Sequence, residues 1–194
     1  MPASPVAFLY SSRLGPRIEV GTANPTTVVD DVGQRNIFLG GKGDDTLDGR
    51  AGGDNMHGGA GRDRLLGGAG DDFLSGGADA DDLHGGTGAD QFQFATDGGL
   101  AANGRADTVH DFSRAEGDKV YAYNFRDSRE QDILFLGEGA VQGPSDSLAR
   151  IRHQAHGEGD TLVQVYMADG DTAADLEILF AGAIRFTEGD FLLP

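Results

Sequence analysis

Residues 40–93 fall into six lines of nine: GGKGDDTLD (40–48), GRAGGDNMH (49–57), GGAGRDRLL (58–66), GGAGDDFLS (67–75), GGADADDLH (76–84) and GGTGADQFQ (85–93). Aspartate holds the sixth place of every line, as Asp45, Asp54, Asp63, Asp72, Asp81 and Asp90. A large apolar residue holds the eighth, as Leu47, Met56, Leu65, Leu74, Leu83 and Phe92. A degenerate line before them, 31–39, keeps the register with Asn36 and Phe38. Chance does not keep two residue classes in phase over so long a stretch. A flexible glycine-rich linker would not retain the eighth-place residues. Collagen needs glycine at every third residue with abundant proline, and the segment has neither.

Nine residues divide into two tasks. Places one to six turn, where glycine enters positive φ at little steric cost. Places seven to nine form a short strand, in which side chains alternate between faces. Place eight then points inward, and places seven and nine point out. Thr46 and Asp48 flank Leu47 in this way, and Asp82 and His84 flank Leu83. Two lines make one coil, so turns on the same side are 18 residues apart in sequence and roughly 4.8 Å apart in space. The coil pairs Asp45 with Asp63, Asp54 with Asp72, Asp63 with Asp81, and Asp72 with Asp90. Two like charges about 5 Å apart repel by ~3 kcal/mol at an effective dielectric of 20. Cations between the carboxylates relieve this. Calcium suits such a place because it takes six to eight hard oxygen ligands in adaptable geometry.

The nonapeptide is G-G-x-G-x-D-x-U-x, the repeat of a calcium-binding parallel β-helix. The chain resembles the RTX (repeats-in-toxin) family in this stretch. The resemblance implies an all-β fold: a parallel β-roll, that is a right-handed β-helix of nonapeptide repeats, capped by a small C-terminal antiparallel sheet. It implies Ca²⁺ between same-side turns, in about four full sites at the four aspartate pairs. Turn carbonyls at Gly41, Gly43, Gly59, Gly61, Gly68, Gly70, Gly77, Gly86 and Gly88 complete the oxygen set. Asn36 with Asp54 makes a weaker site that lacks one charge. Asp107-Thr108-Val109-His110-Asp111-Phe112 and Gly117-Asp118-Lys119-Val120 resemble the pair of segments that follows RTX repeats. Asp107 and Asp111 are therefore expected to close the last calcium position. Arg50 at place two, Gly53 at place five and Asp79 at place four break the pattern, and sites using those turns are expected to be weaker. Asp79 is expected in a left-handed conformation, which Asp tolerates better than most residues.

The chain has 194 residues and a formal charge of −17, from 15 basic and 32 acidic residues. That surface argues against nucleic acid and anionic membranes and favours divalent cations. There is no cysteine, so no disulfide framework supports the fold, and metal is the expected staple. Pro5–Tyr10 is too short and lacks the basic flank of a secretory signal. Three divisions are expected: a lead-in at 1–30, the calcium-binding roll at 31–94, and a β-rich capping module at 95–194. Val6–Tyr10 and Ile18–Gly21 read as short strands before the roll. After the loop 94–104, Ile133–Leu136, Leu148–Arg152, Thr161–Met167 and Leu176–Phe180 read as strands. Asp169-Gly170 signals a hairpin turn. Thr187–Pro194 is acidic and then apolar, similar to the uncleaved C-terminal signals of RTX proteins that use type I export. The resemblance thus implies a secreted, extracellular protein whose partners are calcium and the type I secretion apparatus.

No catalytic motif is present: no HExxH helix, no GxSxG elbow and no GxxxxGK[ST] loop. Only thirty residues precede the roll, where RTX enzymes carry a catalytic domain. The chain therefore reads as a non-enzymatic module standing alone. The other reading is a calcium-dependent carbohydrate-binding or adhesion module with polysaccharide as partner, for which Arg62, Arg64, Tyr121 and Tyr123 are candidate contacts. His57 and His84, at place nine, are expected to face outward, and His153 and His156 to be solvent-exposed. Asp169, Asp171 and Asp175 lack the spacing of an EF-hand loop and read as turn residues.

Overall fold

The computed structural model describes residues 17–20, 27–29, 33–95, 106–123, 134–138, 150–157, 159–166 and 176–192. Val6–Tyr10, the greater part of the 94–104 loop, Asp169-Gly170, Asp171 and Asp175 lie outside the described residues. Among the described residues sixteen strands form two sheets. The first contains β1 (Arg17–Val20), β3 (Asn36–Lys42), β5 (Asn55–Ala60), β7 (Phe73–Ala78), β9 (Gln91–Ala95), β11 (Lys119–Tyr123) and β16 (Phe191–Leu192), in that order and all parallel. The second runs β2 (Thr27–Val29), β4 (Thr46–Asp48), β6 (Arg64–Ala69), β8 (Asp82–Thr87), β10 (Asp107–Val109), β15 (Leu176–Phe180), β14 (Asp160–Tyr166), β13 (Arg150–His156) and β12 (Leu134–Glu138). Successive repeat lines alternate between the sheets, so each pair of lines is one coil.

Register fixes the coil at 18 residues. Met56 pairs with Leu74, and Leu47 with Leu65. The eighth-place side chains therefore stack in two columns that face each other across the roll. Phe38, Leu47, Met56, Leu65, Leu74, Leu83 and Phe92 are all fully buried. Val28 extends the columns at one end, and Val109, Val120 and Phe191 extend them at the other. The strands outrun the expected three residues. Those of the inner repeats last six, because places one to three of the next line stay in register, as Gly59 with Gly77 and Ala60 with Ala78.

The ladders continue past the repeats. β10 pairs with β8, and β11 with β9, both in parallel. The antiparallel part, β13–β14–β15, joins the roll edge to edge, since β15 pairs in parallel with β10. It belongs to the second sheet and extends it beyond the repeats. β12 is parallel to β13. The chain end returns to the first sheet, where Phe191 pairs with Val120. Phe112, Phe180, Phe186 and Phe191 pack there with ring centroids 4.7–5.5 Å apart. Arg114 binds the buried Asp190 carboxylate at 2.9 Å. His153, expected in solvent, is 4% exposed, with its ring edge-on to Phe186 at 5.8 Å. Its place on an inward-facing position of β13 overrides the polarity of the side chain. His156 is exposed.

Asp79 has φ +75° and Arg50 φ +60°, both in the left-handed region that L side chains rarely adopt. The expectation for Asp79 holds, and Arg50 shares its strain. Two substitutions separate core from turn. Leu74→Ala is expected to lower the stability of the calcium-loaded protein by about 2–5 kcal/mol, whereas Asp79→Gly raises it by up to about 1 kcal/mol. Thermal unfolding in saturating calcium measures both.

Candidate metal centre

Each sixth-place aspartate ends a turn and starts a strand, so the backbone delivers its carboxylate into the space between two stacked turns. One oxygen has a fixed task. Oδ1 of Asp63 accepts the backbone N–H of Asp45 at 2.7 Å, one coil earlier. The same bond links Asp54 to the N–H of Asn36, Asp72 to Asp54, Asp81 to Asp63 and Asp90 to Asp72, at 2.7–2.9 Å. The rows run on beyond the repeats: Asp107 Oδ1 takes the N–H of Asp81, and Asp118 Oδ1 that of Asp90, both at 3.0 Å.

The second oxygen is different. Oδ2 of Asp63, Asp72, Asp81 and Asp90 is buried and receives no hydrogen bond. Each points back into its own turn, against the first-place glycine. A Cβ added to Gly67 would lie 2.3 Å from Asp72 Oδ2 and 2.6 Å from the carbonyl oxygen of Gly85. At Gly58 the corresponding atoms are Asp63 Oδ2 at 2.3 Å and the Gly76 oxygen at 2.6 Å. A carboxylate oxygen and a turn carbonyl of the next coil thus converge on one small space with no donor between them. Oxygen acceptors gathered without donors in a dry interior fit a cation, and hard oxygens with carboxylate charge fit calcium. Among the described residues no three acidic or histidine side chains converge on one point, so backbone carbonyls must complete the ligand set.

The turns can supply them. Gly41, Gly43, Gly59, Gly61, Gly68, Gly70, Gly77, Gly86 and Gly88 all have φ between +99° and +131°. At Gly61 a side chain is excluded twice over, because a Cβ would also lie 2.5 Å from the Gly43 oxygen. Stacked turns touch backbone to backbone.

The electrostatics agree with the need for a cation. Burial raises the Asp63 carboxyl to about 7, with the Asp45 charge adding to it. Burial likewise lifts Asp72 to about 7 and Asp90 to about 6. Asp81, buried beside Asp107, is pushed up to about 9, and burial raises Asp107 itself to about 7.

The remaining candidates separate. Asn36 stands in line below Asp54, its amide donating to the Gln34 carbonyl at 2.7 Å. Asp111 does not join Asp107: its two oxygens accept the N–H groups of Gly85 and Gly86 at 2.9 and 3.0 Å. Asp118, not singled out from the sequence, completes the row above Asp90, and its Oδ2 accepts the Ser113 N–H at 2.7 Å. Its signal was present. Asp118 precedes Val120 as Asp90 precedes Phe92. The first-place glycines Gly40, Gly49, Gly58, Gly67, Gly76 and Gly85 were also passed over, although each abuts a carboxylate.

The fold and the donor-poor carboxylate rows define a calcium-binding parallel β-roll. Residues 33–65 and 57–92 match the RTX calcium-binding nonapeptide repeat, in four copies. The chain is also similar to the solution structure of the AlgE6R3 subunit from the Azotobacter vinelandii mannuronan C5-epimerase. The identity is 22% and the TM-score 0.34, over 93% of this chain and 77% of that one. No curated protein matches the sequence.

Two outcomes test the site. Gly67→Ala is expected to weaken calcium binding by about tenfold or more, ~1.4 kcal/mol, while Ala60→Gly at an exposed place three leaves it unchanged; calorimetric titration distinguishes them. The raised carboxyls also set a pH dependence. An acid whose folded value exceeds its unfolded 3.8 adds stability below that value and loses it as pH rises through about 6–9. Metal-free protein should therefore show more sheet by circular dichroism at pH 5 than at pH 8, and calcium affinity should fall in the same acid direction. More sheet at pH 8 in chelator contradicts the burial argument.

Proposed function

We propose that this is a secreted, non-enzymatic calcium-binding protein whose roll is unfolded without calcium and folds when it meets the metal outside the cell, after type I export. The observation that carries the reading is the set of buried Oδ2 atoms on Asp63, Asp72, Asp81 and Asp90, which receive no hydrogen bond. At neutral pH such a row opposes folding, because burial disfavours the charge that these carboxylates carry in the unfolded chain; with calcium it joins the coils. Four full sites follow from the pairs Asp45–Asp63, Asp54–Asp72, Asp63–Asp81 and Asp72–Asp90, with weaker positions at Asn36–Asp54 and at Asp107. Extracellular calcium modules bind at roughly 10⁻⁴–10⁻³ M, an affinity that cytosolic calcium does not reach. No helix among the described residues is long and apolar enough to cross a membrane.

A carbohydrate-binding reading has its own support. A groove of about 540 Å³ along the first sheet is lined by Arg35, Ile37, Asn55, Asp71, Phe73 and Gln91, and borders Asn36, Asp54 and Asp72 of the carboxylate row. Its mixture of hydrogen-bonding and apolar groups suits a polysaccharide chain. Calcium-dependent retention on immobilised neutral or acidic glycans, lost in Phe73→Ala, is the expected result.

The primary test is a calcium titration of chelator-stripped protein, followed by far-ultraviolet circular dichroism with magnesium in parallel. A cooperative gain of sheet with calcium alone, shifted to higher calcium by Asp63→Ala, is expected. Full sheet in excess chelator at neutral pH contradicts folding on export.

A further inference from the structure

The outer face of the second sheet carries a group of side chains that the carboxylate rows do not use. His84, at place nine of its line, is half-buried on β8 rather than turned fully to solvent as His57 is. His110, the residue immediately after β10, stands beside it, because Leu83 and Val109 are partners in parallel register. The two imidazoles stack, with centroids 4.3 Å apart and planes within 5° of parallel. His110 Nε2 lies 3.1 Å from Asp82 Oδ1, and Asp82 projects from the same face two residues before His84. His84 Nε2 is shielded from solvent and has no hydrogen-bond partner.

We propose that His84, His110 and Asp82 form a binding site for a divalent transition metal of the zinc type, separate from the calcium rows. Tetrahedral zinc, with Zn–N and Zn–O bonds of about 2.0–2.2 Å, holds its ligand atoms roughly 3.4 Å apart. The His110–Asp82 pair is within a few tenths of an ångström of that edge already. Metal would take the position of the shared proton between them. His84 supplies the third ligand through its unpartnered nitrogen, and water the fourth. Stacked rings cannot both aim at one ion, and among the described residues no three such side chains already converge. One ring must therefore swing. The His110 and Asp82 side chains are 35% and 46% exposed, which leaves room for it.

Ligand chemistry keeps the two metals apart. Imidazole suits zinc and other late first-row metals, whereas calcium takes oxygen. Asp82 and the overall charge of −17 attract a cation; Arg64, opposite Asp82 on β6, opposes one. The location matters to the fold. β8 and β10 share only two paired residues, and this short seam connects the repeat array to β15 and the antiparallel strands. A metal bound across it would staple the two.

The test is zinc titration of the full chain in saturating calcium, by calorimetry and by imidazole ¹⁵N spectra. One zinc per chain is expected, with His84 and His110 resonances moving and His57 still. His84→Ala and His110→Ala should each weaken zinc binding by about tenfold, and His57→Ala should not. Circular dichroism in calcium verifies that the variants keep the roll. Wild-type zinc affinity in the His84→Ala/His110→Ala double variant overturns the proposal. So does zinc binding that rising calcium displaces, or calcium-loaded protein that binds no zinc.

Discussion

The hydrogen bond from a turn amide to the carboxylate one coil later is the interaction on which the remainder depends. It commits Oδ1 of each sixth-place aspartate to holding coil spacing. By doing so it fixes where the other oxygen points. The first-place residue of the same line must then be glycine, because the carboxylate occupies the space of a side chain there. Spacing, charge and composition are three consequences of one bond. The placing of the place-six carboxylate therefore follows from backbone pairing.

The row ends where that logic is altered. Asp111 and Asp118 keep the carboxylate but direct both oxygens to amide N–H groups. A carboxylate satisfied by two donors makes little demand for a cation, since its charge is already met by hydrogen bonds. Apolar contact takes over at the same level of the roll: Phe112, Phe180, Phe186 and Phe191 pack together, and Asp190 is held by Arg114 and by the Thr187 N–H and hydroxyl. The C-terminal end is thus built like an ordinary protein interior, and the repeat segment is not.

Much of this was legible because repetition multiplies a weak local signal. Place eight was readable as core from Phe38 to Phe92, and place six as a row of stacked carboxylates from the 18-residue period. Legibility failed where the period changed. Asp118 lies 28 residues after Asp90 rather than 18, so counting did not reach it, although the Asp-x-apolar triplet was intact. The longer strands were hidden because places one to three are glycine-rich and carry no strand preference; their pairing comes from the turn below. The seam between β15 and β10 is a long-range parallel pairing with no local signature, so the sequence showed the antiparallel strands but not the edge that they join. His153 was misplaced for a similar reason: alternation on β13 puts it inside, and its partner Phe186 is distant in sequence.

Core and charge are distributed through the roll in the same small units. Each coil buries one eighth-place side chain from each sheet, so no coil has apolar area to spare for isolated stability. Each also carries carboxylates that face its neighbours on either side. Asp63, for example, holds the amide of Asp45 and in turn donates its own amide to Asp81. A change at one aspartate therefore reaches two interfaces at once: the one its carboxylate closes and the one its amide enters. A one-dimensional stack with coupled neighbours responds as a unit over several repeats. The cooperativity of such a roll then arises from shared aspartates. A core common to all the coils is not needed, and this allows so thin and acidic a structure to behave as one folded body.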